Sequence, residues 1–210
     1  MSYTVHEETY RGCKIRLEAD DDPFNPRKEG DNVGTMVCWH RRYDLGDEQP
    51  KEDPQDYMRD LEDGRFVILP LYLYDHSGIT ISTGRFSCPW DSGQVGFIYC
   101  SLEKAIAEWG GTTWDSLVIY GKEQMPLREV VARVLESEVK VYDDYLTGDV
   151  VGVVVEDWDG ENVHSCWGYF PDHDVPYHER WEYPLSEARS HVDYYVDHYH
   201  EKADLNHSEH

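Results

Sequence analysis

The sequence predicts an α+β protein, in which a largely antiparallel β-sheet carries one long helix and one C-terminal helix packed on it. Three observations support this prediction. Residues 66–101 form the longest weakly charged stretch, where apolar and aromatic residues alternate with small polar ones in the period of strands. Residues 127–146 carry apolar side chains at helical spacing. A Tyr- and His-rich helical pattern over 185–203 follows, before a tail at 205–210 that we expect to fray.

The first part of the chain is expected to hold two strands separated by polar loops. Residues 13–19 alternate between apolar and charged side chains and are placed at an edge of the sheet. Residues 34–40 are apolar enough for a buried strand. The acidic segment 44–64 contains two prolines, so we interpret it as an excursion between two strands of one sheet, ending in a short helix over 55–61.

The weakly charged stretch holds three predicted strands, at 66–74, 79–83 and 94–100. Ser101 is placed to cap a helix that ends near Gly110, because a serine side chain accepts backbone N–H donors at a helix start. The core is predicted to include six apolar side chains from these strands and the long helix: Leu69, Leu71, Leu73, Val95, Phe97 and Val131.

The last part of the chain is predicted to fold as a helix, a hairpin and a second helix. Pro126 suits the first turn of the long helix, and Gly148 lies just past its end. Residues 150–156 and 163–170 form two strands joined across an Asp-Gly turn. We treat residues 1–210 as a single domain, because a chain of this length buries roughly 70% of its unfolded surface.

The sequence indicates the cellular compartment of the protein and the redox state of its cysteines. The start, MSYTVHEETY, has neither the basic nor the apolar part of a signal peptide, and no stretch approaches the roughly 18 apolar residues of a membrane helix. We therefore expect a cytoplasmic protein. The five cysteines are widely spaced without a C-x-x-C pair, which predicts reduced thiols.

The net charge of −24 at pH 7 is the strongest global signal. It opposes contact with phosphate backbones and anionic lipid, so a basic protein is the expected partner rather than nucleic acid or a membrane. Lysine is scarce, with seven residues against twelve arginines, and one interpretation is the solvated acidic surface of a salt-adapted proteome. The other interpretation is a surface that imitates nucleic acid.

One long segment, YDHSGITISTGRFSCPWDSGQVGFIY, resembles a family of short, uncharacterised proteins of bacteriophages, prophages and their hosts. The similarity extends to GTMVCWHRRYDLGD before it and to VVGVVVEDWDGENVHSCWGYF after it. The resemblance implies a phage-like genomic setting and brings no known activity or site residue with it. Because small acidic phage proteins often inhibit host defence or redirect the host, it implies a role of that kind.

An enzymatic alternative uses the turns of the weakly charged stretch. Cys88 would act as the nucleophile, His76 as the base, and Asp75 or Asp91 as the orienting carboxylate of a small hydrolase. A metal ion would instead use Asp75, His76 and Asp91, or members of a second set: His173, Asp174, His178, His191, His198 and His200. The sequence contains no H-E-x-x-H motif and no EF-hand loop, so surface solvation is the favoured role of the possible metal ligands, a structural loop is the favoured role of Cys88, and no cofactor is expected.

Three acidic rows are candidates for a surface that meets a basic partner. They are Glu129, Glu136, Glu138, Asp143 and Asp144 on the long helix, Glu156, Asp157, Asp159 and Glu161 on the hairpin, and Asp193, Asp197, Glu201 and Asp204 on the last helix. A DNA mimic requires carboxylates spaced like phosphates, at about one charge per 1.7 Å of axis.

The expected function is therefore a non-enzymatic, phage-type inhibitor that occupies the basic surface of a host nucleic-acid-binding defence protein. DNA mimicry is one form of this action. The residues predicted to contact the partner are Glu129, Glu136, Asp143, Asp144, Asp193, Asp197 and Glu201. A small hydrolase or metal-dependent enzyme is the alternative, a structural or assembly protein is a third interpretation, and homo-oligomerisation stays open.

Overall fold

A computed structural model describes residues 3–61 and 64–207 of the chain, with side chains through residue 198. The α+β class is confirmed, with antiparallel sheets, a long helix and a C-terminal helix. The chain separates into two compact units: the terminal unit, formed by Met1–Phe24 and Gly148–His210, and the central unit, Asn25–Thr147. The single domain expected from the chain length stays a prediction.

The described residues form ten strands and five α-helices. The strands are β1 (Thr4–Tyr10), β2 (Cys13–Ala19), β3 (Thr35–Cys38), β4 (Phe66–Asp75), β5 (Ile79–Ser82), β6 (Ser92–Ser101), β7 (Leu117–Tyr120), β8 (Glu123–Pro126), β9 (Val151–Glu156) and β10 (Asn162–Tyr169). The helices are α1 (Pro26–Glu29), α2 (Pro54–Leu61), α3 (Leu102–Trp109), α4 (Leu127–Thr147) and α5 (Glu182–His207).

The terminal unit contains an antiparallel sheet in the order β1-β2-β9-β10. The predicted edge position of β2 is wrong, because β1 pairs with it on one side and β9 on the other. Arg11 and Gly12 both have positive φ, at 48° and 86°, and this tight turn returns the chain so that the N-terminal residues form the true edge strand. The predicted alternation is confirmed, since Cys13, Ile15 and Leu17 are fully buried along β2.

Helix α5 covers the buried face of this sheet. Leu185, Ala188, Val192 and Val196 recur every three or four residues along the helix, and all four are buried in one cluster with the apolar residues of β2 and β9. This stripe determines which side of α5 faces the sheet. Helix α5 begins earlier than the sequence predicts and continues to His207, so residues 205–207 are helical, while 208–210 lie outside the described residues.

The central unit is built on a second antiparallel sheet, in the order β3-β6-β4-β5. The three strands predicted in the weakly charged stretch are confirmed as β4, β5 and β6, with ends that shift by one or two residues. The acidic segment 44–64 connects β3 and β4, two strands of this one sheet, as predicted. Helix α4 packs on one face of the sheet, mainly against β5 and β4.

Half of the predicted core residues of the central unit are fully inside. Leu71, Leu73 and Val131 are buried, whereas Leu69 and Val95 are half-buried at the border of the cluster. The prediction for Phe97 is wrong, because its neighbour Ile98 is the residue that points into the core. Successive strand residues face opposite sides of a sheet, so Phe97 lies on the other face.

Two helix ends in the central unit are also as predicted. The hydroxyl of Ser101 accepts a hydrogen bond from the backbone N–H of Lys104 at 3.2 Å, and Gly110 ends α3 at a φ of 80°. The hairpin of β7 and β8 was not predicted, since each strand has only four residues. Pro126 closes β8 directly before α4. None of the helices in the described residues has both the length and the apolar character needed to cross a membrane.

Candidate functional site

The four residues of the enzymatic alternative do come together at the end of β4. The backbone N–H of Asp75 donates to the carbonyl of Asp91 at 2.8 Å, which ties the two turns to each other. Nδ1 of His76 lies 3.4 Å from Oδ2 of Asp91, and the thiol of Cys88 donates to the same oxygen at 3.6 Å. The structure therefore assembles one carboxylate between an imidazole and a thiol.

This order differs from that of a cysteine nucleophile and its base. A base must contact the thiol whose proton it removes, and here the thiol and the imidazole both contact Oδ2 of Asp91. Asp75 is engaged elsewhere, since Arg42 forms an ion pair with it and the hydroxyl of Tyr43 donates to it. The geometry favours a structural role for this cluster.

Cys88 should accordingly react slowly. At neutral pH, we expect a thiol reagent to modify Cys88 no faster than it modifies the same thiol in the urea-unfolded chain, because the thiol is half-buried and contacts Asp91. Mass spectrometry of each cysteine peptide measures this, with the buried Cys13 and Cys38 as slow internal references. Rapid stoichiometric labelling of Cys88, together with loss of partner binding in Cys88→Ser, would contradict the structural assignment.

The described members of the histidine-rich set do not converge on one point. In the described residues, no group of three or more His, Cys, Asp or Glu side chains is arranged to hold a metal ion. His178 contacts Glu179, whereas His198 stacks on Tyr194 with ring centroids 4.0 Å apart. The side chain of His200 lies outside the described residues.

Most carboxylates of the acidic row predicted on α4 make contacts within the central unit. The carboxylate of Asp143 accepts hydrogen bonds from the Thr80 hydroxyl at 2.6 Å and from the Ile81 backbone N–H at 2.7 Å. Asp144 is buried, with 6% of its surface exposed. Of the other two predicted contact residues, Glu129 pairs with Arg133 and Glu136 is exposed. Asp143 thus anchors α4 to β5 and is unavailable to a partner.

Two carboxylates of the acidic row predicted on α5 bind an arginine of another element. Arg11, at the β1–β2 turn, donates to Asp193 at 2.8 Å and to Asp197 at 2.7 Å. Both carboxylates remain partly exposed, so this row keeps some outward charge. The side chain of Glu201, its third predicted contact residue, lies outside the described residues.

The hairpin row divides into inner and outer members. Glu156 forms a bidentate pair with Arg16, at 2.7 and 2.8 Å, and Asp157 accepts the backbone N–H groups of Asp159 and Glu161 at 3.0 Å each. Asp159 and Glu161 themselves are exposed at the tip of the hairpin. These two carboxylates are therefore available to a partner.

The negative charge is unevenly divided between the two units. The terminal unit contains 21 acidic and six basic residues, for a net charge of −15, while the central unit contains 22 acidic and 13 basic residues, for a net charge of −9. The terminal unit is the smaller of the two, so its charge density is more than twice as high. Its arginines are already bound to carboxylates: Arg11, Arg16, Arg180 and Arg189.

A groove of about 570 Å³ runs along α5 in the terminal unit and was not predicted from the sequence. Its lining residues are Ser186, Glu187, Ser190, His191 and Tyr194. Glu187 accepts a hydrogen bond on each carboxylate oxygen, from the hydroxyl of Tyr169 at 2.8 Å and from that of Tyr183 at 2.9 Å. These two hydrogen bonds lower the pKa of Glu187, so its carboxylate is ionised at neutral pH.

Two stacked imidazoles form one end of this site. The ring of His164, on β10, lies 3.7 Å from that of His191 between centroids, at an angle of 17°. Burial and the proximity of His191 lower the pKa of His164, which keeps that imidazole neutral at neutral pH. The four-residue spacing of Tyr183, Glu187 and His191 is the sequence signal that could have indicated one polar face of α5.

Two groups of polar side chains thus stand out in the described part of the chain. The first, the Asp91 cluster of the central unit, consists of Asp75, His76, Cys88 and Asp91 and lacks the contact between thiol and imidazole that a catalytic triad needs. The second, the Glu187 groove of the terminal unit, presents an ionised carboxylate that is hydrogen-bonded by two tyrosines. Comparison with protein-family models, with curated proteins and with solved structures found no match to this chain.

Proposed function

We propose that the protein is an acidic inhibitor that binds the basic, nucleic-acid-binding surface of a partner protein through its terminal unit and so blocks that surface. The observation that supports this proposal is the net charge of −15 on the terminal unit, where the arginines are already bound to carboxylates. The resemblance to phage-associated proteins supports a host defence protein as the partner.

The physical basis is electrostatic attraction followed by contact. Exposed carboxylates attract a basic surface over about one Debye length, roughly 8 Å at physiological ionic strength, and they accelerate association. The outward members of the unit include Asp159, Glu161 and Asp174, which are all exposed. Asp193 and Asp197 add partial charge, because Arg11 neutralises part of it. This arrangement favours a charged contact surface over a continuous copy of a phosphate backbone.

Removing outward charge from the terminal unit should weaken capture of the partner. The test variant combines Asp159→Asn, Glu161→Gln and Asp174→Asn, and affinity should fall by about tenfold if each charge contributes roughly 0.5 kcal/mol. The measurement is affinity capture from host-cell lysate with identification of the bound protein, followed by binding curves at about 50 and 200 mM salt. Association should slow at the higher salt concentration, because salt screens exposed charges.

The matched control makes the same charge change in the central unit. Glu103→Gln, Glu108→Gln and Asp115→Asn also remove three exposed carboxylates, and affinity should stay within about twofold. Saturating duplex nucleic acid should release the captured protein, since one basic surface cannot hold both ligands. Equal losses in the two variants, or capture that is indifferent to nucleic acid and salt, would show that the charge serves solubility alone.

A further inference from the structure

We propose that the groove along α5 binds a single basic side chain, lysine or arginine, of the partner protein, with Glu187 as its counter-ion. This inference rests on the proposed function and deepens it, because it names one specific contact within a surface otherwise described only by charge. The carboxylate, the walls and the histidine end of the groove together indicate the class of ligand.

Glu187 differs from three other half-buried carboxylates of the terminal unit. Glu8, Glu156 and Asp149 each bind an arginine of the same unit through two hydrogen bonds. Among the described side chains, no Arg or Lys pairs with Glu187, whose contacts are the hydroxyls of Tyr169 and Tyr183.

The two tyrosine hydroxyls stabilise the ionised carboxylate of Glu187 without neutralising it, so its negative charge remains available to a cation. A carboxylate offers about four lone-pair directions, and the two tyrosine hydroxyls occupy two of them. Each oxygen of Glu187 therefore retains room for an N–H donor. The tyrosines also hold the carboxylate in a fixed orientation, which reduces the entropy lost on binding.

The walls of the groove suit an ammonium or guanidinium group. Tyr194 lines the groove and is 66% exposed; His198 stacks on one face of its ring, and the other face is open to a cation. The hydroxyl of Ser190 donates to the carbonyl of Ser186 at 2.9 Å, and that of Ser186 donates to the carbonyl of Tyr183 at 2.8 Å. Because each hydroxyl proton is already used in one of these hydrogen bonds, both hydroxyl oxygens can act only as acceptors, and their lone pairs can accept from an incoming N–H group.

The histidine end of the groove supplies no positive charge from His164 to an anion at neutral pH. Burial and the stacked ring of His191 lower the pKa of His164, so its imidazole is neutral there. The other titratable groups near Glu187 are Cys166 and Tyr169 on β10, together with Tyr183 on α5, and none of these carries a positive charge. Glu187 thus determines the sign of the ligand.

The test uses the full chain and a peptide probe, acetyl-Gly-Gly-Arg-Gly-Gly-amide, followed by ¹H–¹⁵N NMR. Addition of the peptide should shift the amide signals of Glu187, His191 and Tyr194. An otherwise identical peptide with citrulline in place of arginine keeps the shape and loses the charge, and it should bind at least about tenfold more weakly. Glu187→Gln should lower affinity for the arginine peptide by about tenfold.

Two further variants distinguish binding in the groove from attraction by the overall negative charge of the unit. Glu7→Gln removes one exposed carboxylate from β1, at the opposite edge of the same sheet from β10, and should leave peptide affinity within about twofold. Tyr194→Leu removes an aromatic wall and should lower affinity by about threefold, the effect of an exposed cation–π contact. Superimposable amide spectra away from the groove establish that Glu187→Gln and Tyr194→Leu are folded.

Equal binding of the arginine and citrulline peptides, shifts confined to other surfaces, or groove shifts with inorganic phosphate in place of the peptide would overturn the inference. Partner capture that responds to the triple charge variant but not to Glu187→Gln would also overturn it, while leaving the proposed function intact. Conversely, peptide binding in the groove without any nucleic-acid-sensitive capture would support the groove and contradict the proposed function.

Discussion

Replacing Arg27 with methionine is expected to destabilise the protein by about 3–5 kcal/mol, the loss typical of breaking a buried ion pair. The side chain of Arg27 is 1% exposed. Its guanidinium donates to Glu138 at 2.8 Å, to Asp47 through two nitrogens, and to the carbonyl of Gly34 at 2.8 Å. Burial works against the charged form, but the two carboxylates outweigh it and raise the pKa of Arg27.

Methionine would fill much of the same volume and leave the carboxylates of Asp47 and Glu138 without their cation. Urea unfolding followed by tryptophan fluorescence measures the change in the free energy of unfolding. Arg133→Met is the matched control, because Arg133 is half exposed in its pair with Glu129 and should cost under about 1 kcal/mol. Similar losses in the two variants would show that the Arg27 network does not stabilise the central unit as proposed.

Truncating Leu73 to alanine is expected to destabilise the fold by about 2–5 kcal/mol. Leu73 is 3% exposed on β4 and belongs to the cluster that includes Val131 and Leu135 of α4. Its removal leaves a cavity between the sheet and the helix, and the surrounding side chains relax only partly.

The same unfolding experiment measures this loss, with Ile119→Ala as the control. Ile119 is 76% exposed on β7, so its truncation removes little buried surface and should cost under about 0.5 kcal/mol. A loss below about 1 kcal/mol for Leu73→Ala would mean that β4 does not hold the central position assigned to it.

The local elements were predictable because their signals lie within a few residues of one another. Alternation over the weakly charged stretch located β4, β5 and β6, and helical spacing located α4. Ser101 could be assigned as a cap because its partner, the N–H of Lys104, is three residues away. The short strands β7 and β8 were missed, since four residues hold too few alternations to distinguish a strand from a loop.

The candidate sites were predicted less well, because spacing along the chain does not reveal which carboxylates meet a cation. Arg27 and Glu138 are 111 residues apart in sequence, and Arg11 and Asp193 are 182 apart. Asp143 fits a solvated helical row by spacing alone, yet it holds β5 to α4. The four residues of the Asp91 cluster were correctly grouped, but their order in space was not predictable.

Local periodicity was enough to predict the α+β class and most of the strands and helices, and composition alone sets the net charge of −24. The folded structure was needed to show that β2 is an inner strand, that Asp144 is buried, and that Glu187 contacts Tyr169 and Tyr183 with no Arg or Lys paired to it among the described side chains. Those outcomes depend on contacts between distant segments, and such contacts are set by how strands order and helices pack rather than by any pattern that neighbouring residues carry.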